Sequence, residues 1–375
     1  MKKNVLITGG AGFIGSNLAL TLIEKGYNIT VLDSLSEQIH GENSSLYESI
    51  KDKVNFIKGD VRRKTDWENA LKDQHVVVHL AAETGTGQSM YEVQKYVDVN
   101  INGTALLLDH LVNEPHNVEK VIVASSRAIY GEGKYSCETH GDVYPVEREE
   151  SHLLQGDFEP KCPHCGTELN LAKTDENSKI HPSSVYGITK QNQEQMVLNV
   201  CRSVNIPAVA FRYQNVYGPG QSLKNPYTGI LSIFSTQIRN GNDINIFEDG
   251  EESRDFVFID DVVNATVLGL EMEEANYEVF NVGSGIQTTV MEVATILKEK
   301  YNSPVSIEVT GNFRLGDIRH NVADLSKIKE KLGFTPQYDF KTGVSKFVEW
   351  VQSQEVNEDN YAKSIDEMKA KGLFK

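Results

Sequence analysis

Apolar and polar positions follow two alternating periods along the first half of the chain, and the switches between them predict a series of strands and helices. Val5 to Thr8 is a short apolar run that breaks into glycines and then into the helix-patterned stretch Ser16 to Lys25, and Asn28 to Leu32 reads as a second strand. Further strands are predicted at Val54 to Lys58, Val76 to Leu80, Val121 to Ser125 and Ala208 to Phe211, with helices over Asp66 to Leu71, Ser89 to Val112 and Ser184 to Val204. Short apolar strands separated by helices imply an α/β fold, a doubly wound parallel sheet covered on both faces. After Gly218-Pro219-Gly220 the periodicity loosens into a smaller mixed lobe. Helices are expected there over Ile230 to Arg239, Val262 to Met272 and Thr289 to Lys300, and short strands at Ile244 to Phe247, Phe256 to Ile259, Val279 to Asn281 and Val305 to Val309. In the tail, Tyr361, Ile365 and Met368 recur at helical spacing and read as a docked helix without a functional role. The expected organisation is a domain over residues 1–217, interrupted by an insertion at 132–181, followed by a lobe over 218–375.

The 375 residues carry a formal net charge of −16, which argues against an electrostatic grip on nucleic acid or an anionic membrane. Any anionic ligand must be held by local cations. The chain opens Met-Lys-Lys-Asn straight into Val5 without an apolar leader, and no apolar run approaches a membrane span, so a cytoplasmic protein is expected.

The first strand ends in Gly9-Gly10-Ala11-Gly12-Phe13-Ile14-Gly15. Glycines in such a loop let the backbone turn tightly and approach a pyrophosphate, which rests on the N–H groups opening the next helix. Asp33 ends the second strand, where an acid accepts from an adenosine ribose hydroxyl. Its charge would repel a 2′-phosphate, and no Arg or Lys follows at once, so NAD is favoured over NADP. Asp60-Val61 and Leu80-Ala81-Ala82 fall just past strand ends, the edge on which open α/β sheets hold ligands. Tyr186 and Lys190, four apart on one predicted helix, share a face. An ammonium held beside a phenol lowers the phenol's pKa toward that of a working general base.

With Ser125-Ser126-Arg127-Ala128-Ile129-Tyr130-Gly131 at the end of its strand, the chain resembles the extended short-chain dehydrogenase/reductase family, in particular its nucleotide-sugar epimerases and dehydratases. The resemblance also rests on Thr8 to Gly15, Leu80-Ala81-Ala82, Tyr186-x-x-x-Lys190, Asn215-Val-Tyr-Gly-Pro219 and Arg254-Asp-Phe-Val-Phe-Ile-Asp-Asp261, and it covers nearly the whole chain. It implies a Rossmann domain with a catalytic set of Ser126, Tyr186 and Lys190. It also implies an NAD site lined by Gly9, Gly12, Phe13, Ile14, Gly15, Asp33, Asp60, Val61, Leu80, Ala81, Ala82, Asn100, Tyr186 and Lys190. The matching substrate positions are Thr84, Ser126, Asn215, Phe247, Arg254, Arg314 and Asp317, the last four in the lobe that would bind a nucleoside diphosphate sugar. A homodimer through the helices Ser89 to Val112 and Ser184 to Val204 is implied as well.

Where the related dehydratases carry Asp and Glu directly after the Ser/Thr, this chain has Arg127 and Ala128, and Ala128 also departs from the glutamate of the decarboxylases. A 4-epimerase needs no such acid or base. Within the epimerases the chain looks like the dTDP-L-rhamnose 4-epimerase group, with UDP-sugar epimerases, other modifying enzymes and a non-catalytic NAD-binding sensor as the alternatives.

The insertion departs from the family pattern. Cys137-x-x-His140 and Cys162-x-x-Cys165 have the spacing of a tetrahedral structural zinc site, against the readings of a redox dithiol or an inert loop. His164 competes for the fourth place but lies inside the Cys-x-x-Cys turn, and Cys201 reads as a buried apolar residue.

Overall fold

A computed structural model describes residues 3–41, 44–225, 229–356, 359 and 361–375. Seven strands form one parallel sheet: β1 (Asn4–Thr8), β2 (Asn28–Asp33), β3 (Asn55–Lys58), β4 (Val76–His79), β5 (Lys120–Ser126), β6 (Ala208–Tyr213) and β7 (Glu278–Val282). Their spatial order is β7-β6-β5-β4-β1-β2-β3, each paired in parallel with its neighbour. The order reverses between β1 and β4, which opens a crevice at the carboxyl ends of those strands.

The apolar runs explain why the strands lie centrally. Val5, Ile7, Val76, Val78, Ile122, Val209 and Phe211 pack into a core on one face, while Leu6, Val77, Val121, Val123, Ala208 and Ala210 pack into a second core on the other. Side chains alternate faces along a strand, so only a run apolar at every position fills both cores. Cys201 is fully buried in the second core, as its sequence context implies.

Helix α1 (Phe13–Glu24) follows the glycine loop, and the helix Lys64–Ala70 lies close to its predicted place. The region read as one helix over Ser89 to Val112 is different: short helices Thr86–Ser89 and Val93–Tyr96 lead through a π-helical segment Val97–Asn102 into α2 (Gly103–Asn113). The wider turn coincides with Asn100, whose amide donates to Glu83 O at 3.1 Å and Thr189 Oγ1 at 2.9 Å and accepts from Glu83 N–H at 2.8 Å. Helix α3 (Val185–Ser203) lies beside α2 and packs on β5.

Past β6 the chain builds a lobe from Asn215–Tyr217, Ser253–Phe258 and Gln287–Thr289, a three-stranded sheet, and from Ile244–Ile246 paired with Ile307–Val309. From within this region β7 returns to complete the main sheet. Helices Ser326–Leu332 and Phe340–Ser353 were not read from the sequence. The tail forms α4 (Tyr361–Ala370).

The insertion is a small antiparallel sheet of Gly141–Val143, Tyr135–Cys137 and Asn170–Leu171. It encloses a core of its own made from Tyr135, Cys137, Val143, Cys162 and Leu169. Among the described residues no helix is long and apolar enough to cross a membrane.

Candidate active site

A cavity of about 830 Å³ runs from the glycine loop, past the ends of β4 and β5, into the second lobe. Every cofactor, substrate and catalytic position read from the sequence lies on its wall except Asn100, which stands behind the wall and holds Glu83 to α3 through Thr189.

At one end the loop is forced by contact. Gly9 has φ +68°, and a Cβ there would meet Ala81 N at 2.9 Å; a Cβ on Gly15 would meet Gly9 O at 2.4 Å. Helix α1 begins after Gly12 with no side-chain cap and no acid in its first turn, so its opening N–H groups remain for an anion. Asp33 is fixed at the end of β2: Oδ2 accepts from Ala11 N–H at 3.0 Å, Oδ1 from Leu35 N–H at 2.9 Å, and His40 Nε2 lies 3.4 Å from Oδ1. Arg62 is committed to Asp60, with Nη2 to Oδ2 at 2.6 Å. An open helix start, a close-packed loop and a placed acid fit a dinucleotide.

The catalytic candidates sit at the middle of the cavity. Ser126 ends β5, and its Oγ accepts from Ala128 N–H at 3.2 Å. Ser184 caps α3 by accepting from Gly187 N–H, which puts Tyr186 in the first turn of the helix and Lys190 in the second. Tyr186 is pushed above its ordinary value by burial, opposed by a hydrogen bond with Ser126 and by the charge of Arg127. This corrects the reading in which Lys190 lowers the phenol. Burial takes Lys190 itself down to about 7, and its ammonium donates to Gln193 Oε1 at 2.7 Å. Gln193 Nε2 in turn donates to Thr104 Oγ1 at 2.8 Å, and His79 bridges Thr104 and Thr8 at 2.9 and 2.8 Å. The cation nearest in effect to Tyr186 is Arg127, whose Nε donates to Asn215 Oδ1 at 3.1 Å.

A buried bridge fixes these strands and the helix together. Arg212 grips Glu194 through two bonds of 2.6 and 3.0 Å, and Ser125 Oγ donates to the same carboxylate at 2.5 Å.

In the second lobe Asp317 organises the cations. Burial would raise its pKa, but Arg314, Arg254, Arg127 and Arg148 hold it well below the carboxylate range. Arg314 Nη2 stands 2.8 Å from Asp317 Oδ2 and Arg254 Nη2 3.2 Å from Oδ1. Arg254 is further held by the carbonyls of Ser253, Ile318 and Arg319. Arg148, from the insertion, reaches the same place: it donates to Asp317 O at 3.0 Å and pairs with Glu248 at 2.7 Å. Sequence reasoning did not assign Arg127, Arg148 or Tyr361, which also lines the cavity, because their neighbours come from distant segments, nor Gln193, which meets Lys190 one turn along the same helix.

Away from the cavity, the ligand atoms of Cys137, His140, Cys162 and Cys165 lie within 4.8 Å of one another. His140 Nδ1 stands 3.5 Å from Cys137 Sγ and 3.6 Å from Cys162 Sγ, and Cys137 Sγ 3.8 Å from Cys165 Sγ. A tetrahedral ion with thiolates at about 2.3 Å and an imidazole at about 2.0 Å sets edges of about 3.8 Å between sulfurs and about 3.5 Å to the nitrogen. These three separations match the edges of such a site, and the four donors together lie within 4.8 Å of one another. His164 is exposed and outside this group, its ring 5.1 Å from that of His140.

The fold and site define a nucleotide-dependent short-chain enzyme. Residues 5–151 and 162–283 match the model of the NAD dependent epimerase/dehydratase family, and the chain belongs to that family. It is 38% identical to the dTDP-L-rhamnose 4-epimerase of Burkholderia thailandensis, over 96% of this chain and 97% of that protein. It superposes with TM-score 0.76 on a UDP-glucose 4-epimerase of Thermotoga maritima solved with UDP-glucose, at 31% identity over 93% of this chain and 98% of the other. A UDP-glucuronic acid 4-epimerase of Bacillus cereus, in complex with UDP-glucuronic acid and NAD, gives TM-score 0.75 and 25% identity over 93% and 99% of the two chains.

Proposed function

We propose that this chain is an NAD-dependent nucleotide-sugar 4-epimerase that works through a transient 4-keto sugar, interconverting dTDP-L-rhamnose and dTDP-6-deoxy-L-talose. The observation that carries the reading is Ser126, Tyr186 and Lys190 at the centre of one cavity with Arg127 and Ala128 in the next two places, where no carboxylate is available for elimination. The identity to an enzyme of that name supports the choice of sugar.

Gly9, Gly12, Phe13, Ile14 and Gly15 would hold the cofactor pyrophosphate, Asp33 the adenosine ribose, and Asp60, Val61, Leu80, Ala81 and Ala82 the flanking wall, with Asn100 supporting it through Glu83. Tyr186 and Lys190 would hold the nicotinamide ribose. When bound, NAD supplies reversible hydride acceptance at the sugar carbon. Tyr186 Oη removes the proton of the 4-hydroxyl and later returns it, while Ser126 holds that oxygen. Arg254 and Arg314, fixed by Asp317, would bind the diphosphate, with Thr84 and Asn215 on the sugar and Phe247 by the base. On this reading residues 1–217 carry the cofactor and 218–375 the nucleotide sugar.

Zinc held by Cys137, His140, Cys162 and Cys165 would have no open position for substrate or water, the mark of a structural site. A homodimer through the faces of α2 and α3 accounts for Met90, Val93, Val112 and Ile188, all exposed on or beside these helices. A panel of nucleotide sugars incubated with the purified enzyme tests the function. Epimerisation at C4 of a dTDP-sugar is expected. A dehydrated or decarboxylated product, or no turnover with any nucleotide sugar, would count against it.

A further inference from the structure

The C-terminal tail brings a ring into the cavity. Residues 371–375 lie along 313–315, where Phe313 N–H donates to Lys375 O at 2.8 Å, Lys375 N–H to Phe313 O at 3.0 Å and Leu315 N–H to Leu373 O at 3.1 Å. The same tail also meets the first domain. Tyr91 Oη donates to Glu367 Oε2 at 3.3 Å, the Lys371 ammonium stands 4.8 Å from the centre of the Tyr91 ring, and buried Met368 packs close to Gly87. These contacts, from Glu367 to Lys375, fix the C-terminal end of α4 between the two halves, and its first residue, Tyr361, lies on the cavity wall.

The Tyr361 ring lies 6.4 Å from that of Phe247 with 19° between their planes, and Phe374 meets Phe247 edge-on at 5.0 Å. The Arg314 guanidinium sits 5.4 Å from the Phe247 ring centre. Among the described residues, the buried polar atoms of the cavity wall without a hydrogen-bond partner include Glu252 Oε2 and Arg314 Nε, with others on Gln214 and Gln221. A buried orphan acceptor and a buried orphan donor each carry a desolvation cost that a ligand can relieve. Aromatic rings beside them offer a stacking face. A flat heterocycle with both a donor and acceptors on its edge answers all three features.

We propose that Tyr361 and Glu252 complete the nucleobase site: the Tyr361 ring is a stacking wall, and Glu252 Oε2 and Arg314 Nε read the imide edge of a pyrimidine, as in thymine or uracil. The ring N–H donates to Glu252 and a ring carbonyl accepts from Arg314. The inference rests on the nucleotide-sugar reading and adds a residue from a tail that reads, in sequence, as no more than a docked helix.

The test is calorimetric titration of the full-length, NAD-loaded protein with dTDP, UDP and inorganic pyrophosphate. Tyr361→Ala is expected to weaken dTDP and UDP about tenfold or more, the scale of lost base stacking, while pyrophosphate affinity and NAD content stay at the parent values. Tyr361→Phe restores the ring and the affinity. Glu252→Leu weakens the two nucleotides and spares pyrophosphate. The inference is overturned if Tyr361→Ala binds dTDP as the parent does, or if it loses pyrophosphate and NAD in the same proportion, which would make Tyr361 a structural residue. Failure of the parent protein to bind any nucleoside diphosphate would instead remove the nucleotide-sugar reading, and this inference with it.

Discussion

Burial works against Tyr186 in the role of base proposed for it. Its phenol is pushed above the ordinary value, and the opposing influences are Ser126 and Arg127, while Lys190 is held by Gln193. Tyr186→Phe should lower turnover by about 10²- to 10⁴-fold, the usual worth of a general base, and leave nucleotide binding near the parent value. Steady-state rates beside binding titrations check this; near-normal turnover would remove Tyr186 from the mechanism. Arg127 gives a prediction with a sign. It favours the phenolate, so Arg127→Met should raise the Tyr186 pKa further and move the rising limb of the pH–rate profile to higher pH. An unmoved limb would show that Arg127 does not act on Tyr186. Residue identity was enough to nominate Tyr186 and Lys190, because Tyr-x-x-x-Lys fixes one helix face, and the family resemblance added Ser126. The partner that tunes the phenol was not legible, since Arg127 reaches it from the end of another element.

At the scale of elements, strands were legible where every position is buried and helices where one face is. The stretch 89–112 is helical from Val93 to Asn113 but passes through a π-helical segment, Val97–Asn102, where Asn100 holds Glu83, a widening that apolar spacing does not register. The helix Phe340–Ser353 does carry a readable stripe, Val344, Phe347, Val348 and Val351. The insertion was legible through its ligand spacing, whereas its bond to the substrate lobe was not. Arg148 holds Asp317 O and Glu248, and Arg319 pairs with Glu159 of the insertion, Glu248 and Asp249. With five core residues, the insertion has too little apolar content to order itself, so metal binding would supply the difference. Protein purified without a histidine tag should contain about one zinc per chain, and Cys162→Ser should lower the melting temperature before it alters the chemical step. Metal-free protein with full thermal stability would sink the zinc assignment.

At the scale of the whole molecule, a parallel sheet places the glycine loop and the candidate catalytic residues along one crevice, while a second lobe and the tail close the other side. The parallel sheet was legible from alternation alone, but the closure of the crevice by the tail was not, nor was the return of β7 from the second lobe into the sheet, since nothing local marks which sheet a strand joins. The exposed Met90, Val93, Val112 and Ile188 predict a dimer, and sedimentation should give twice the chain mass, with Ile188→Glu shifting the protein toward monomer. A parent protein that sediments as a monomer would contradict the assignment. A 4-epimerase returns the hydrogen it removes from C4 to C4 of the same sugar. Turnover of dTDP-L-rhamnose carrying deuterium at C4, in ordinary water, tests this proposal. The expected product is dTDP-6-deoxy-L-talose with the deuterium retained at C4; loss of that label to solvent, or a product changed at C5 or C6, would rule the 4-epimerase reading out.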